Sequence, residues 1–255
     1  MRFEKWHALG NAYLLVGAND AETLTAKRVR RLCDGRTGIG SDGVVEVVGQ
    51  DDRGADVRIW NPDGSVAEMS GNGTRIAAAW VLRETGVGEV EIRTGGRIVH
   101  AKTAPNGLVR QSLGEAAVAA DLTLDVAGER LAVIPVDLGN PHAVVLRDEL
   151  SRDDLRRLGP ALESHPAFPN RTNVQLARPD HRDAVSVLVW ERGAGETSAS
   201  GSSAAAVAAA AIARGWSDSP VRIGMPGGTL DVTVEGRHVT VDGPATEICR
   251  GTTDL

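Results

Sequence analysis

Hydrophobic and polar positions alternate along much of this chain in short runs, the spacing of half-buried strands. Such runs are "AYLLV" (12–16), "DGVVEVV" (42–48), "ADVRIW" (55–60), "EVEIR" (89–93), "HAVVL" (142–146), "DAVSVLVW" (183–190) and "LDVTVEG" (230–236). Two Ala-rich segments, after Ser70 and after Ser200, break the alternation. Their small side chains predict helices packed on all sides, surrounded by strands. "TAKRVRRLCD" (25–34) and "SRDDLRRLG" (151–159) read as lesser helices. Asp20 and Thr25 are the N-cap candidates for the first and Ser151 for the second.

The pattern occurs twice. "IWNPDGSVAEMSGNGTRIAAAW" (59–80) aligns without a gap on "VWERGAGETSASGSSAAAVAAA" (189–210), placing Trp60 on Trp190, Ser70 on Ser200 and Gly71 on Gly201. Upstream, "LGN" at 9–11 recurs at 138–140, and downstream "RTGGRIV" (93–99) resembles "MPGGTLDV" (225–232). Matches in one order at nearly one spacing argue for a duplicated half-chain unit, far longer than a solenoid repeat. The expected halves are 1–114 and 115–242, joined near Gly114–Ala120, with a tail over 243–255 that returns to the first half.

Composition narrows the class. With 255 residues, 42% of them apolar, the chain can bury a substantial core. A net charge of −6 offers no basic footprint for nucleic acid. No signal-peptide pattern opens the chain, and the apolar run at 204–213 is too short to span a bilayer, so a cytoplasmic protein without a membrane partner is expected. Cys33 and Cys249 are expected to be buried free thiols. No His/Cys cluster has metal-ligand spacing, and no metal or cofactor is expected.

The candidate chemistry gathers at the repeated turns. Each runs from a strand-ending Trp through a polar loop to a Ser-Gly pair that opens a helix. Ser70 and Ser200 are good N-caps in their own right. Gly71 and Gly201 allow close approach of a ligand, and the unpaired N–H groups of a helix start suit a carboxylate or phosphate. Neither turn fits a phosphate-binding Gly-Lys-Ser/Thr loop or the Gly-x-Ser-x-Gly nucleophile elbow. Asn11, Asn61, Asn140, His142, Asn173, Glu191 and Arg192 lie at strand ends, several at matching places of the two halves. Asn reads both ammonium and carboxylate, and Arg adds a bidentate carboxylate grip.

These stretches resemble the diaminopimelate epimerase family almost end to end: "HALGNAYLLV", "RRLCDGRTGIGSDGVV", "NPDGSVAEMSGNGTR", "LGNPH", "RTNV" and "ERGAGETSASGSSA", in the family's order. The resemblance implies an α+β fold of two pseudo-symmetric halves, each a curled, mostly antiparallel sheet around a central helix. It implies cofactor-free inversion at Cα of a small-molecule amino-acid substrate, with LL- to meso-diaminopimelate in lysine biosynthesis as the family's reaction, in a cleft between the halves, and a homodimer. It implies that Asn11, Asn61, Asn140, Asn173 and Arg192 bind substrate and that Gly71, Asn72, Gly201 and Ser202 lie at carboxylate-binding helix starts. His142 and Glu191 would stand beside the reacting centre.

At the two decisive positions the chain departs from the family. Where the family has one cysteine per half as its acid–base couple, this chain has Ser70 and Ser200. A thiol of pKa near 8.5 supplies some thiolate at neutral pH; a hydroxyl, weaker by roughly five units, makes generating the base about 7 kcal/mol harder. A serine can relay a proton if a neighbouring base activates it, and Glu191 and His142 are the local choices. Three readings stay open: an epimerase working through serines with lowered or lost activity; another superfamily reaction, of the amino-acid racemase or hydroxyproline epimerase/dehydratase type; and a non-catalytic amino-acid-binding relative. Gly43 and Ala12 also stand where many relatives carry larger or polar residues.

Overall fold

Short strands joined by tight turns surround two helices that start 130 positions apart, at Gly71 and Gly201. The computed structural model describes residues 1–21 and 24–255. They form two units, Met1–Gln111 with Asp242–Leu255, and Ser112–Val241.

The first unit contains β1 (Arg2–Ala8), β2 (Asn11–Val16), α1 (Ala18–Ala21), α2 (Ala26–Cys33), β3 (Val44–Gln50), β4 (Gly54–Trp60), β5 (Val66–Ala67), α3 (Gly71–Thr85), β6 (Glu89–Thr94) and β7 (Arg97–Thr103). The chain leaves it within β8 (Val109–Glu115). The second unit runs through β9 (Ala117–Val118), β10 (Leu122–Val126), β11 (Glu129–Asp137), β12 (Pro141–Leu146), α4 (Arg152–Glu163), β13 (Asn173–His181), β14 (Ala184–Glu191), β15 (Gly195–Thr197), α5 (Gly201–Ala213), β16 (Val221–Met225) and β17 (Gly228–Glu235). Within β18 (His238–Gly243) the chain returns, and β19 (Thr246–Thr252) pairs antiparallel with β1.

Both units follow one series. β1–β2 and β3–β4 are antiparallel pairs, as are β11–β12 and β13–β14. The helical crossovers between them make β2 parallel to β3 and β12 parallel to β13. A second crossover through α3 or α5 makes β4 parallel to β6 and β14 parallel to β16. Parallel neighbours need such connections, so the helices are what lets an otherwise antiparallel ladder continue.

The central helices carry the cores. α3 packs against β1, β2, β4, β6 and β7, burying Ile76, Ala77, Ala78, Val81 and Leu82. α5 packs against β11, β12, β13, β14, β16 and β17, and Ala204 to Ala211 are all buried. Ala leaves room for strands to close in on every side of the helix, as its composition predicts. A satellite core in the first unit joins Val29, Leu32 and Cys33 of α2 to Leu14, Val16 and Val44. No helix of the described residues is long and apolar enough to cross a membrane.

Four local expectations are corrected. Thr25 alone caps α2, accepting from the Arg28 amide at 3.2 Å. Asp20 lies inside α1 and instead takes the Arg2 backbone amide and guanidinium. α4 runs past Gly159 to Glu163, because a Cβ at 159 would lie 2.7 Å from the Trp190 ring and only Gly lets the helix pass that close. The linker expected at Gly114–Ala120 is largely strand, with the Ala116 amide bonded to the Arg237 carbonyl. Cys249 is exposed on β19, whereas Cys33 is buried.

Candidate functional site

In the first unit the site residues sit on the β1–β2 turn and at the start of α3. Ser70 is the N-cap of α3, its Oγ accepting from the Gly73 amide at 3.1 Å. The Tyr13 Oη lies 3.0 Å from the same Oγ. Asn72, in the first turn of α3, donates through Nδ2 to Asn11 Oδ1 at 3.2 Å. Its own Oδ1 accepts from Arg75 Nη2 at 2.8 Å. Arg75 is fully buried, and desolvation lowers its pKa to about 10. Its Nε donates to the Pro244 carbonyl, and its Nη1 has no hydrogen-bond partner. The donor chain from guanidinium to Asn72 to Asn11 thus ends in the amide hydrogens of Asn11, polarised by a buried positive charge.

Asn61 is placed differently. It opens a turn in which its amide donates to the Ser65 carbonyl at 2.8 Å and its Nδ2 to Ser65 Oγ at 2.9 Å. The preceding Trp60 donates through Nε1 to buried Glu46 at 2.7 Å.

The second unit builds its counterpart from other side chains. His142 on β12 is buried, and Gln175 Nε2 donates to its Nδ1 at 3.0 Å. The ring proton therefore sits on Nε2, 3.2 Å from Asn140 Oδ1, to which it donates. Burial pushes the His142 pKa down to about 3, so the imidazole is neutral. Gln175 Nε2 also donates to Ser203 Oγ at 3.0 Å, tying the chain to the first turn of α5. This donor chain ends in the amide hydrogens of Asn140, which matches Asn11 in the repeat.

Asn173 opens β13 beside His142, its register partner on β12. Its Nδ2 donates to the Pro141 carbonyl at 3.0 Å and its Oδ1 accepts from the Arg192 amide at 3.0 Å. The Arg192 guanidinium donates to the Asn170 carbonyl. Ser200 occupies the N-cap position of α5 without making a capping bond. It is buried. Burial raises the Glu191 pKa above the ordinary carboxylate range, and the nearby Ser200 hydroxyl offsets part of that rise. Gly201 is buried and Ser202 half-buried at the helix start.

The first unit thus joins Asn11, Ser70, Gly71 and Asn72, and the second joins Asn140, His142, Asn173, Glu191, Arg192, Ser200, Gly201 and Ser202. Four further residues bear on these sets. Tyr13 and Arg75 act as described, as does Gln175. Glu163, buried on α4, accepts from Trp190 Nε1 and from the Gly193 amide, both at 2.7 Å, and so holds the turn that carries Arg192. A polar residue in an otherwise apolar strand, such as Gln175 in "NVQLA", is the signal that marks such a partner.

A family model described as diaminopimelate epimerase matches residues 3–118 and 134–247. The chain is 36% identical to a diaminopimelate epimerase of Pseudomonas syringae pv. tomato over 270 residues, covering 98% of each. It is 38% identical to one of Rhizorhabdus wittichii, covering 100% of this chain and 96% of that protein. Among solved structures, a predicted epimerase from Pseudomonas aeruginosa superposes with a TM-score of 0.74 at 19% identity, over 100% of this chain and 99% of the other, a likeness of fold.

Proposed function

The chain belongs to the diaminopimelate epimerase family, a family of isomerases, and from that membership we propose that it inverts an amino acid at Cα without a cofactor, LL- and meso-diaminopimelate being the substrates. One observation carries the reading. The family match spans both halves, and each half has a hydroxyl at its Ser-Gly helix start: Ser70 in the first unit, Ser200 in the second. Inversion needs a base on one face of the α-carbon and an acid on the other.

The surroundings of the serines support distinct roles. Glu191, near Ser200, is the base that draws the hydroxyl proton as Ser200 takes one from Cα. His142, neutral and held at both nitrogens, orients Asn140 and does not serve as the proton carrier. Asn11, Asn140, Asn173 and Arg192 recognise the ammonium and carboxylate groups, with the helix starts at Gly71–Asn72 and Gly201–Ser202 receiving carboxylates.

The test is α-proton exchange in deuterated water with LL- and meso-diaminopimelate, followed by NMR. Exchange with interconversion of the isomers is expected. Stabilisation by meso-diaminopimelate without any exchange would make the chain a binding protein, ligand at 100 times Kd adding about 2.7 kcal/mol. Exchange or water loss with hydroxyproline alone would move it to a different reaction on the same scaffold.

A further inference from the structure

Ser70 has a neighbour of a kind that Ser200 lacks. The Tyr13 Oη lies 3.0 Å from Ser70 Oγ, inside the first unit. The ring is buried, with Tyr13 on β2 in the core that also receives Ile76 and Ile59. Its seat is shaped by Gly43. A Cβ there would lie 2.7 Å from Tyr13 Cε1 and 2.4 Å from the Trp60 carbonyl, so a larger residue would push the ring aside. The Ala12 amide donates to Asp42 at 2.7 Å and the Asp42 amide to the Ala12 carbonyl at 2.7 Å, which fixes the backbone that carries the ring.

A serine hydroxyl has two lone pairs and one hydrogen. One lone pair takes the Gly73 amide, which leaves one lone pair and the hydrogen for two neighbours, Tyr13 and a substrate. Across this contact either hydroxyl can donate; when Ser70 turns its hydrogen to the substrate, the Tyr13 hydroxyl donates to the remaining lone pair. We infer that Tyr13 is a relay residue for Ser70, passing its phenolic proton to Ser70 Oγ as Ser70 passes its own to the substrate carbon.

The inference rests on the epimerase reading and gives that reading its missing acid. In the forward sense the Ser70 O–H bond breaks as the new C–H bond forms at Cα. The Tyr13 O–H bond breaks as Ser70 regains a proton, and the carbanion's negative charge ends on the phenolate. Reversal takes the proton back along the same line. A phenol has a pKa near 10, so charge left on it costs less than charge left on a serine alkoxide. The two hydroxyl seats are therefore backed by different groups, a phenol at Ser70 and a carboxylate at Ser200.

The test compares Tyr13→Phe with the parent in α-proton exchange with LL- and meso-diaminopimelate. The phenyl ring keeps the packing against Gly43. A fall in kcat of about a hundredfold with KM within about threefold is expected. The same substitution is made beside Ser70→Cys, where the thiol supplies its own proton; there its cost is expected to shrink at least about tenfold. Tyr13 is the chain's single tyrosine, so fluorotyrosine incorporation alters this phenol alone and moves the alkaline limb of the rate profile to lower pH. An active parent whose Tyr13→Phe variant keeps its rate, or pays the same cost in both backgrounds, overturns the relay and leaves the epimerase reading standing. A silent parent overturns both. Should Tyr13→Phe fail to fold, the fluorotyrosine protein decides: an unmoved alkaline limb overturns the relay.

Discussion

His142 Nε2 lies 3.2 Å from Asn140 Oδ1, and the imidazole reaches it as a neutral donor because Gln175 occupies the other nitrogen. That neutrality has a thermodynamic consequence. The folded pKa is about 3, against 6.5 for the free side chain, so between those values the unfolded chain binds a proton that the folded chain does not. Stability is then full above 6.5 and lost as pH falls. From pH 7 to pH 5 the loss from this one group is about 2 kcal/mol. Urea unfolding across this range should show it. His142→Gln should flatten the slope, since the carboxylates with lowered pKa values release their stabilisation only below the ordinary values of 3.8 for Asp and 4.5 for Glu. An equal slope in both proteins would contradict the buried neutral imidazole.

Much of this was legible in the chain. The seven alternating runs all fall on strands, and both Ala-rich segments are the central helices. The duplication foretold that the halves would share one order of elements, because the spacing from Trp to Ser-Gly is the same in each. Strands such as β1, β7 and β11 were not read. β1 and β7 carry charges on both faces, which breaks the apolar alternation, and β11 holds Pro135, which reads against a strand although its neighbours pair on both sides of it. The site was legible as residue types and not as partnerships. Nothing in "NVQLA" says that Gln175 fixes a histidine tautomer, and Tyr13 reads as an ordinary core aromatic until Ser70 is seen beside it. Nothing in the sequence sets Arg75 apart from the other arginines, because burial of its guanidinium depends on segments as distant as Pro244.

Glu191→Gln separates binding from proton transfer. The amide keeps the shape but accepts no proton, so α-proton exchange should fall at least about a hundredfold, the usual weight of a general base. In the parent, exchange should rise with pH through a carboxyl group titrating above the ordinary glutamate value of 4.5. Stability moves the other way. A raised folded pKa means that the folded state holds the proton more tightly, so stability is lost as pH climbs from 4.5 toward the folded value. The variant carries no such loss and should melt higher than the parent at pH 7. A lower melting temperature at neutral pH would show that the carboxylate is stabilising where it stands.

Gly159→Ala sets helix propensity against packing. Ala gains up to about 1 kcal/mol in a helix interior. At this position its Cβ would lie 2.7 Å from Trp190 Cγ and Cδ2 and 3.0 Å from Trp190 Cβ, atoms too near the backbone to swing away. Overpacking of this kind costs about 1–3 kcal/mol, so net destabilisation by about 1–2 kcal/mol is expected in chemical denaturation. Displacing Trp190 also disturbs its bond to Glu163, which holds the Gly193 amide, so binding of meso-diaminopimelate should weaken as well. A variant as stable as the parent would mean that α4 shifts freely off β14.

Ser70→Cys with Ser200→Cys asks whether the hydroxyls limit the rate. Each thiol is a stronger acid than the hydroxyl it replaces by roughly five units, an upper gain of about 7 kcal/mol in forming the base. Part of that gain is already offset in the parent by Glu191 at Ser200 and by Tyr13 at Ser70. An increase in α-proton exchange of at least about a hundredfold is therefore expected, well short of the full difference. The structural cost falls on one side only. Ser70 caps α3 through the Gly73 amide, a bond that sulfur replaces poorly, at about 1 kcal/mol. Ser200 makes no capping bond to lose. The single variant Ser70→Cys should accordingly melt lower than Ser200→Cys. If the double variant folds and binds meso-diaminopimelate but exchanges no faster than the parent, proton transfer at these two positions is not what sets the rate.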